Sequence, residues 1–389
     1  MLSNDGVDGM ISIEDKKWCE EFLDKCEKKI FSVMDYIKND YPYTTIDGKY
    51  DNLNIFPFSW TSGFWGGFMW LLYLETGKDE YKKRAIKCSE RMNEALAKVE
   101  NYDCLDNHDL GFVFLPTCVA HYRILGDENA RIRGLHAASM LAGRFNLNGK
   151  YIRAWRNGIL SPETRGYAII DCLLNLPLLY WASDTYEDNR FALFAKAHAD
   201  TVVKEFIKPD GSVYHIVNFD TETGRVKEYP RGQGYESGSS WSRGQAWGVY
   251  GFMMSYIHIK DEKYLNASKG IADYIIKNMG NRTIVPSDYM QPDSPEIVDA
   301  SASAITACGM LELAKYLDDG EKYEEFAMKL LKGLYEDCDF SDKNQAIIMS
   351  ATEMYHGNGT NHHIPIIYSE YFLIEALMKC IDKTDYFMW

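Results

Sequence analysis

The sequence predicts an all-α protein, an (α/α)6 barrel in which six inner and six outer helices form a closed toroid with small β-hairpin insertions. Three observations predict this fold: a loose internal repeat, an alternation of nearly all-apolar with amphipathic helices, and a short acidic turn within each helix pair. A helix that is apolar all round has to be buried, and an amphipathic helix covers it. We expect residues 1–389 to form a single domain.

Five copies of the repeat run along the chain, and a sixth copy is divided between its two ends. Inner helices are predicted over residues 61–77, 108–126, 168–186, 242–260, 301–317 and 364–380. Their outer partners are predicted to end near residues 98, 146, 207, 279 and 337, and the sixth partner is the opening helix over 14–38. Pro116 and Pro177 fall within the second and third inner helices, so each of these helices either kinks there or begins nearer its proline.

Strand-like segments lie between the helix pairs. Residues 213–219 and 225–229 flank a short turn and predict a β-hairpin, whereas residues 46–58 are predicted to form an irregular loop. In an antiparallel toroid all inner helices begin at the same end. Their first residues and these insertions are therefore expected to line one mouth of the ring.

Charge and hydropathy exclude several classes of function. A formal charge of −15 argues against nucleic acid as a partner, although a local basic pocket can still hold a small anion. No apolar run approaches the ~20 residues needed to cross a bilayer. The acidic residues 1–14 lack the apolar segment of a secretory signal. We therefore expect a cytoplasmic protein with no membrane partner, present as a monomer or homodimer.

Cysteine and histidine usage argues against metal chemistry. The nine cysteines are scattered singly and form no Cys-x-x-Cys pair, which disfavours a disulfide scaffold or structural zinc and fits a reducing compartment. The chain has no His-Glu-x-x-His motif, and His356, His362 and His363 share one loop without an obvious acidic set. We expect no cofactor. Aromatic residues make up 14% of the chain, which suits either a sugar ligand or a large aromatic core.

Two aspartates near the starts of inner helices are candidate catalytic groups. Asp171 lies within the apolar run 169–174, where loss of hydration would raise the carboxyl pKa and favour a general acid, whereas backbone donors would lower it. Asp109 occupies the equivalent place in the preceding repeat. Two facing carboxyls push their pKa values apart into one acid and one anion, which is the general arrangement of glycoside hydrolysis.

Other polar residues at the helix starts have less specific interpretations. Thr61, Ser242 and Ser301 are expected to cap helices rather than to take part in catalysis. Arg243 is expected either to bind a ligand carboxylate bidentately or to form a salt bridge to a neighbouring loop. His215, in the preceding strand, is either a second donor or a structural histidine.

Five strings of the sequence carry a resemblance to a known family. They are Trp60-Thr-Ser-Gly-Phe-Trp65, His108-Asp-Leu-Gly-Phe112, Ile170-Asp-Cys-Leu-Leu-Asn-Leu-Pro-Leu-Leu-Tyr-Trp181, Trp241-Ser-Arg-Gly-Gln-Ala-Trp-Gly248 and Ser301-Ala-Ser-Ala-Ile-Thr-Ala-Cys-Gly309. In this order they resemble the unsaturated glucuronyl hydrolases, glycoside hydrolase family 88, from about residue 55 to residue 378. The resemblance implies the same (α/α)6 fold that the repeat predicts.

The resemblance also implies an activity. The family removes an unsaturated uronic acid from the non-reducing end of oligosaccharides that polysaccharide lyases release, such as glycosaminoglycan disaccharides. Water adds across the C4=C5 vinyl ether of the sugar, and the resulting hemiketal opens and releases the aglycone. The family needs no cofactor for this reaction.

Site residues are implied by matching each position to the family's strings. Asp171 resembles the acid that protonates C4 and then activates water, and Asp109 resembles the second acidic residue. The implied substrate-binding positions are His108, His215, Gln233 and Arg243, with Trp60, Trp155 and Trp247 as aromatic platforms and Asn175 as a partner of the catalytic carboxyl.

Two alternatives are a related hydrolase of unsaturated rhamnogalacturonyl fragments from pectin and a non-catalytic sugar-binding toroid. The His108-Asp109 pair and the string around Arg243 favour the glucuronyl type, and retention of both aspartates argues against a non-catalytic protein. Relatives that prefer sulfated substrates carry a Ser-x-x-Ser-x-Lys segment near the C-terminus. The corresponding residues 356–363 lack it, so the resemblance leaves a preference for sulfated substrates open, with His362 and His363 as alternative donors.

Overall fold

The computed structural model describes residues 11–38, 40–52, 59–97, 106–155, 164–356, 361–383 and 389. Within these ranges the chain forms the expected (α/α)6 barrel, with an inner and an outer helix in each of six pairs. The outer helices are α1 (Ile13–Ile37), α3 (Asp79–Ala97), α6 (Glu128–Ala142), α8 (Arg190–Glu205), α10 (Glu262–Met279) and α12 (Glu321–Asp337). The inner helices are α2 (Ser62–Thr76), α4 (Leu110–Phe114) continued by α5 (Ala120–Leu125), α7 (Pro177–Tyr186), α9 (Ser242–Ile259), α11 (Ala300–Ala314) and α13 (Ile367–Cys380).

The inner helices supply most of a continuous apolar core. Every residue of α11 and of α13 is buried, whereas the outer α12 buries only one face. This difference follows from the two sequence patterns, because an all-apolar helix loses free energy wherever it meets water. The prediction of buried inner helices and amphipathic covering helices is therefore confirmed.

The two prolines act differently. At Pro116 the second inner helix widens into one π-helical turn, Leu115–Val119, which joins α4 to α5. Proline has no N–H to donate, so the helix is locally rearranged there. Pro177 instead begins α7, where a missing N–H costs nothing. The prediction of one helix from residue 168 is wrong at its start, since residues 167–169 form a strand and Ile170–Leu174 form a 3-10 turn.

Three small sheets lie between the helices. Strands β1 (Pro42–Ile46) and β2 (Lys49–Asn52) form a hairpin, which corrects the expectation of an irregular loop from residue 46; residues 53–58 lie outside the described part. Strands β3 (Phe145–Asn146) and β4 (Tyr151–Ile152) pair antiparallel. The third sheet has the order β5 (Tyr167–Ile169), β6 (Ile216–Phe219) and β7 (Val226–Glu228), which confirms the hairpin expected between residues 213 and 229.

Helix capping also differs from expectation. Thr61 is the N-cap residue of α2 but its side chain makes no capping bond, and Ser242 donates its hydroxyl to Ser287 O (3.0 Å). The cap of α11 is Asp299, which accepts from the backbone N–H of Ser301. A carboxylate two residues upstream therefore replaces the hydroxyl cap predicted at Ser301.

Two further observations concern the described residues only. The eight cysteines among them are all free thiols. No helix in the described ranges is both long enough and apolar enough to span a membrane.

Candidate active site

Asp171 is brought to the mouth of the ring by the three-stranded sheet. Strand β5 pairs with β6 through Ile169 and Ile216, and the backbone N–H of Ile170 extends the ladder by donating to His215 O (3.0 Å). The 3-10 turn then begins, so Asp171 is the first polar residue after a buried strand. Its Oδ1 lies 3.8 Å from His215 Nε2. Sheet pairing thus places the aspartate and the histidine side by side.

The environment of Asp171 favours its protonated form. Its side chain is only 17% exposed, and Oδ1 has no hydrogen-bond partner among the described residues. Burial raises the pKa of Asp171 to about 7, against an opposing contribution from the Arg243 guanidinium. A carboxyl with this pKa can both donate and accept a proton near neutral pH.

Asp109 forms the second acidic position. It is the N-cap residue of α4, yet its side chain makes no capping bond, and its Oδ1 lies 3.5 Å from His108 Nε2. Burial, reinforced by the neighbouring charge of Asp171, raises the pKa of Asp109 well above its usual value. Two carboxyls in one low-dielectric space cannot both ionise cheaply, so an ionised Asp171 further favours the protonated form of Asp109.

Asn175 joins the two helix starts that carry these aspartates. Its Oδ1 accepts from the backbone N–H of Phe112 (2.8 Å), and its Nδ2 donates to the backbone carbonyl of Asp171 (3.1 Å). Gly111 makes this approach possible, because a Cβ there would lie 2.5 Å from Asn175 Cα. Asn175 therefore fixes the relative position of the aspartates through the main chain.

The loop before α9 fixes the tautomer of His215. The backbone N–H of Gln233 donates to His215 Nδ1 (3.0 Å), and the Gln233 side chain donates to Glu353 O (2.7 Å). Burial lowers the pKa of His215 to about 3, so the ring is neutral and its proton lies on Nε2, facing Asp171. Gly232 is required here, since a Cβ would lie 2.0 Å from His215 Nδ1.

Arg243 is committed to protein partners. Its Nη1 donates to Asp299 Oδ2 (2.5 Å) and Thr352 O (2.6 Å), and its Nη2 donates to Glu353 O (2.6 Å). The side chain is 2% exposed and its guanidinium lies over the Trp241 ring. The structure thus contradicts the prediction that the Arg243 guanidinium binds a ligand carboxylate bidentately. It favours the alternative, a salt bridge within the protein.

The three candidate aromatic platforms differ in accessibility. Trp60 is half-buried and packs against Phe112 and Tyr368. Trp155 is half-buried on a small apolar cluster formed by Ala154, Ile169 and Ile216. Trp247 is fully buried against Phe112 and Phe372, so neither face of its ring is available to a sugar. The platform assignment is therefore corrected for Trp247, which lies in the core beneath the site.

Comparison with known proteins finds relatives that match most of the chain. The model of Glycosyl Hydrolase Family 88 matches residues 30–372. An unsaturated chondroitin disaccharide hydrolase of Streptococcus pneumoniae is 33% identical over 373 residues, covering 92% of this chain and 90% of the relative. An unsaturated glucuronyl hydrolase of Bacillus sp. strain GL1 is 35% identical over 327 residues, covering 82% and 85% of the two chains.

A solved unsaturated glucuronyl hydrolase from Streptococcus agalactiae superposes with a TM-score of 0.88 at 30% identity, covering 100% of this chain and 99% of that one. The chain belongs to glycosyl hydrolase family 88. As a family 88 member it is a glycoside hydrolase, and the matched region contains both aspartates and the start of each inner helix.

This family 88 site also contains a residue that the sequence did not point to. Arg144 lies between α6 and β3. It forms an ion pair with Asp106 and donates to the backbone carbonyls of Arg153 and Ala154. Ala154 O also accepts from His108 N (2.9 Å), so Arg144 holds the segment that positions His108 and Asp109. Burial lowers the pKa of His108 and the positive charge of Arg144 lowers it further, while the same charge opposes the burial-driven rise in the pKa of Asp109.

Asp299 and Tyr43 are further residues that sequence reasoning did not identify as part of the site. The sequence indicates that Asp299 is a carboxylate at a helix start. Only the structure shows that it is the ion-pair partner of Arg243. Tyr43 lies on β1, and burial beside Tyr368 and Glu353 raises its pKa. It reaches the site because β1 contacts α13, the helix that carries Tyr368.

Proposed function

We propose that this chain hydrolyses unsaturated glucuronyl oligosaccharides at their non-reducing end, with disaccharides from lyase-treated glycosaminoglycans as the substrate class. One observation carries the proposal: a largely buried Asp171 whose Oδ1 has no hydrogen-bond partner among the described residues and whose pKa is raised to about 7. Such a group is available for proton transfer rather than tied to the fold. The names of the relatives support the substrate class.

The proposed reaction is a hydration. The proton of Asp171 is transferred to C4 of the C4=C5 double bond, and the positive charge that develops at C5 is shared with the ring oxygen. The Asp171 carboxylate then removes a proton from a water molecule as its oxygen bonds to C5. The hemiketal opens to a ketone at C5, and C1 is left as a hemiacetal that expels the aglycone alcohol. Asp171 ends the cycle protonated, so protons balance.

The neighbouring groups have distinct proposed roles. The neutral His215 directs Nε2–H toward Asp171 and stabilises the carboxylate after it has given up its proton. Because the pKa of Asp109 is raised, we assign this residue a protonated carboxyl that hydrogen-bonds the sugar hydroxyls, as a neutral carboxylic acid can in an apolar site. This replaces the expectation that the two aspartates form one acid and one anion.

The substrate is proposed to lie between the half-buried rings of Trp60 and Trp155, with His108 and Gln233 at its polar edges. We propose one catalytic domain, in line with an apolar core that includes residues from α1 to α13. A cytoplasmic location and a monomeric or homodimeric state are part of the same proposal.

The decisive experiment uses Asp171→Asn. We expect it to abolish the loss of ultraviolet absorbance that accompanies consumption of the vinyl ether, while the variant keeps its thermal stability and still binds the unsaturated disaccharide. Asp188→Asn, at an exposed turn, serves as the matched control and should retain full turnover. Normal turnover by Asp171→Asn would refute the assignment. Faster turnover of unsaturated rhamnogalacturonyl disaccharides than of glucuronyl ones would instead favour the pectin-type activity.

A further inference from the structure

A second cleft, separate from the catalytic mouth, lies beside the segment that Arg144 holds. Its volume is about 660 Å³, and its walls include Arg144, Phe145, Tyr151, Arg153, Arg165 and Thr221. Small-molecule sites have volumes of roughly 300–1,000 Å³. None of the proposed catalytic or substrate-binding residues lines this cleft.

Two arginines bring positive charge to the wall of the cleft. In the described part of the chain, no hydrogen bond or ion pair engages the side chain of Arg153 or Arg165. Arg144 is already paired with Asp106, and Glu222 is an exposed residue of the wall. On a protein with a net charge of −15, two unpaired guanidinium groups facing one cleft are a local reversal of the overall field.

A buried hydroxyl points to a polar ligand in the same place. Tyr151 is fully buried and stacks on Phe219, yet among the described residues its hydroxyl has no hydrogen-bond partner. Buried hydroxyls are normally satisfied, so this one needs a further partner, such as a water molecule or a ligand hydroxyl that enters from the cleft. Phe145 is half-buried in the wall and provides an apolar surface next to these polar groups.

We propose that this cleft binds an acidic saccharide unit, held by a carboxylate or sulfate ester between Arg153 and Arg165 and by a hydroxyl at Tyr151. A planar guanidinium matches either oxyanion bidentately. The cleft is several times larger than a single inorganic anion requires, and its aromatic and hydroxyl-bearing walls suit a sugar. The choice of an acidic saccharide rests on the proposed function, but binding in this cleft requires no turnover.

The test compares the full chain with Arg153→Gln/Arg165→Gln by titration calorimetry. The probes are a saturated, sulfated glycosaminoglycan tetrasaccharide, its desulfated and carboxyl-reduced neutral counterpart, and inorganic sulfate. The matched control is Arg190→Gln/Arg282→Gln, which removes two positive charges whose partners are surface carboxylates. We expect the double variant to bind the acidic tetrasaccharide about tenfold more weakly, with the control unchanged.

Unchanged affinity in the double variant would overturn the proposal, and so would an equal loss in the control, because that would indicate unspecific charge attraction. Inorganic sulfate that binds as tightly as the tetrasaccharide would overturn the saccharide assignment. Hydrolysis of the unsaturated disaccharide and the melting temperature are measured on the same variants and should not change. Failure of hydrolysis in the wild type would count against the proposed function and leave the binding result interpretable.

Discussion

At the scale of single residues, the site depends on how burial and local charge act on two carboxyls. Burial disfavours both ionised forms, while Arg243 opposes the rise at Asp171 and Arg144 opposes it at Asp109. Because a different arginine acts on each aspartate, the two carboxyls have different electrostatic surroundings. The result is one group that titrates near neutral pH beside another whose pKa is also raised well above its usual value.

The pH dependence of the reaction follows from the pKa of Asp171. The acid must be protonated to attack C4, so kcat/KM should be highest below about 7 and fall tenfold per pH unit well above it. The measurement is kcat/KM with the unsaturated disaccharide across this range, with Asp188→Asn as control. A rate that is constant through neutral pH would contradict the assignment of Asp171 as the acid.

Arg243 and Asp299 form a fully buried ion pair, so the contribution of each side chain to stability depends on the presence of the other. Arg243→Gln should destabilise the protein by about 3–5 kcal/mol, because it removes the ion-pair partner of the fully buried Asp299. Asp299→Asn keeps a residue that can cap α11 and also breaks the pair. The double variant should therefore lose less stability than the sum of the two single losses, as measured by urea denaturation.

The surface pair Arg84 and Asp35 provides a control for this cycle. Asp35 is 95% exposed, so Arg84→Gln should change the free energy of unfolding by less than about 1 kcal/mol. Strict additivity of Arg243→Gln and Asp299→Asn would show that the two side chains do not stabilise each other.

At the scale of elements, the hydrophobic periodicity of the sequence predicted the long helices. It did not distinguish a strand from a helix in short apolar segments. The inner helices α9 and α11 were predicted to within a few residues because their apolar runs are long. The run at 168–174 is equally apolar, but long-range pairing with β6 makes it a strand followed by a 3-10 turn. Asp47-Gly48 was a hairpin signal that the sequence analysis passed over.

The candidate site also contains some residues that the sequence identified and others that it did not. Both aspartates and His108 stand near helix starts and lie within the strings that carry the family resemblance, whereas His215 lies outside those strings, just before β6. The role of Arg144 was not predictable, because its contacts with Asp106 and Ala154 join segments whose pairing no local pattern reports. The burial of Trp247 likewise depends on which face of α9 meets Phe372.

Glu370 on α13 makes the anchoring of two insertions dependent on pH. Its carboxyl accepts from Tyr50 Oη on β2 (2.7 Å) and from Ile347 N (2.8 Å), and burial raises its pKa from 4.5 to about 7. The folded state therefore binds this proton more tightly than the unfolded chain. The resulting stabilisation is complete below 4.5 and is lost as the pH rises through about 7.

Glu370→Gln should remove this dependence. Relative to the variant, the wild type should lose about 3 kcal/mol of unfolding free energy between the two pKa values. The measurement is urea denaturation of both proteins at several pH values, with the exposed Glu336→Gln on α12 as control. A stability difference that does not vary with pH would show that Glu370 is equally ionised in both states.

At the scale of the whole molecule, closure of the ring joins residues from distant parts of the sequence. Trp60 before α2 packs on Tyr368 in α13, and Arg243 at the start of α9 pairs with Asp299 before α11. Each inner helix begins at this end, so six short sequence segments contribute to one mouth. The toroid therefore supplies a rigid frame, and the chemistry depends on residues at helix starts and in short insertions.

The net charge of the whole molecule should affect how fast an anionic substrate arrives. A charge of −15 at about 30 Å from the centre corresponds to about 2 kcal/mol of repulsion per substrate charge in unscreened water. At an ionic strength of about 0.01 M the Debye length is about 30 Å, which leaves somewhat under 1 kcal/mol, and at about 0.15 M it is about 8 Å. We expect kcat/KM for the unsaturated disaccharide to rise roughly threefold between these two salt concentrations.

The methyl ester of the unsaturated uronyl disaccharide is the matched neutral substrate, and its kcat/KM should not depend on salt. A sulfated disaccharide carries a second negative charge and should show a steeper rise than the unsulfated one. A fall in kcat/KM with added salt, seen only for the anionic substrates, would contradict this prediction. It would mean that positive charge near the mouth attracts the substrate more strongly than the rest of the protein repels it.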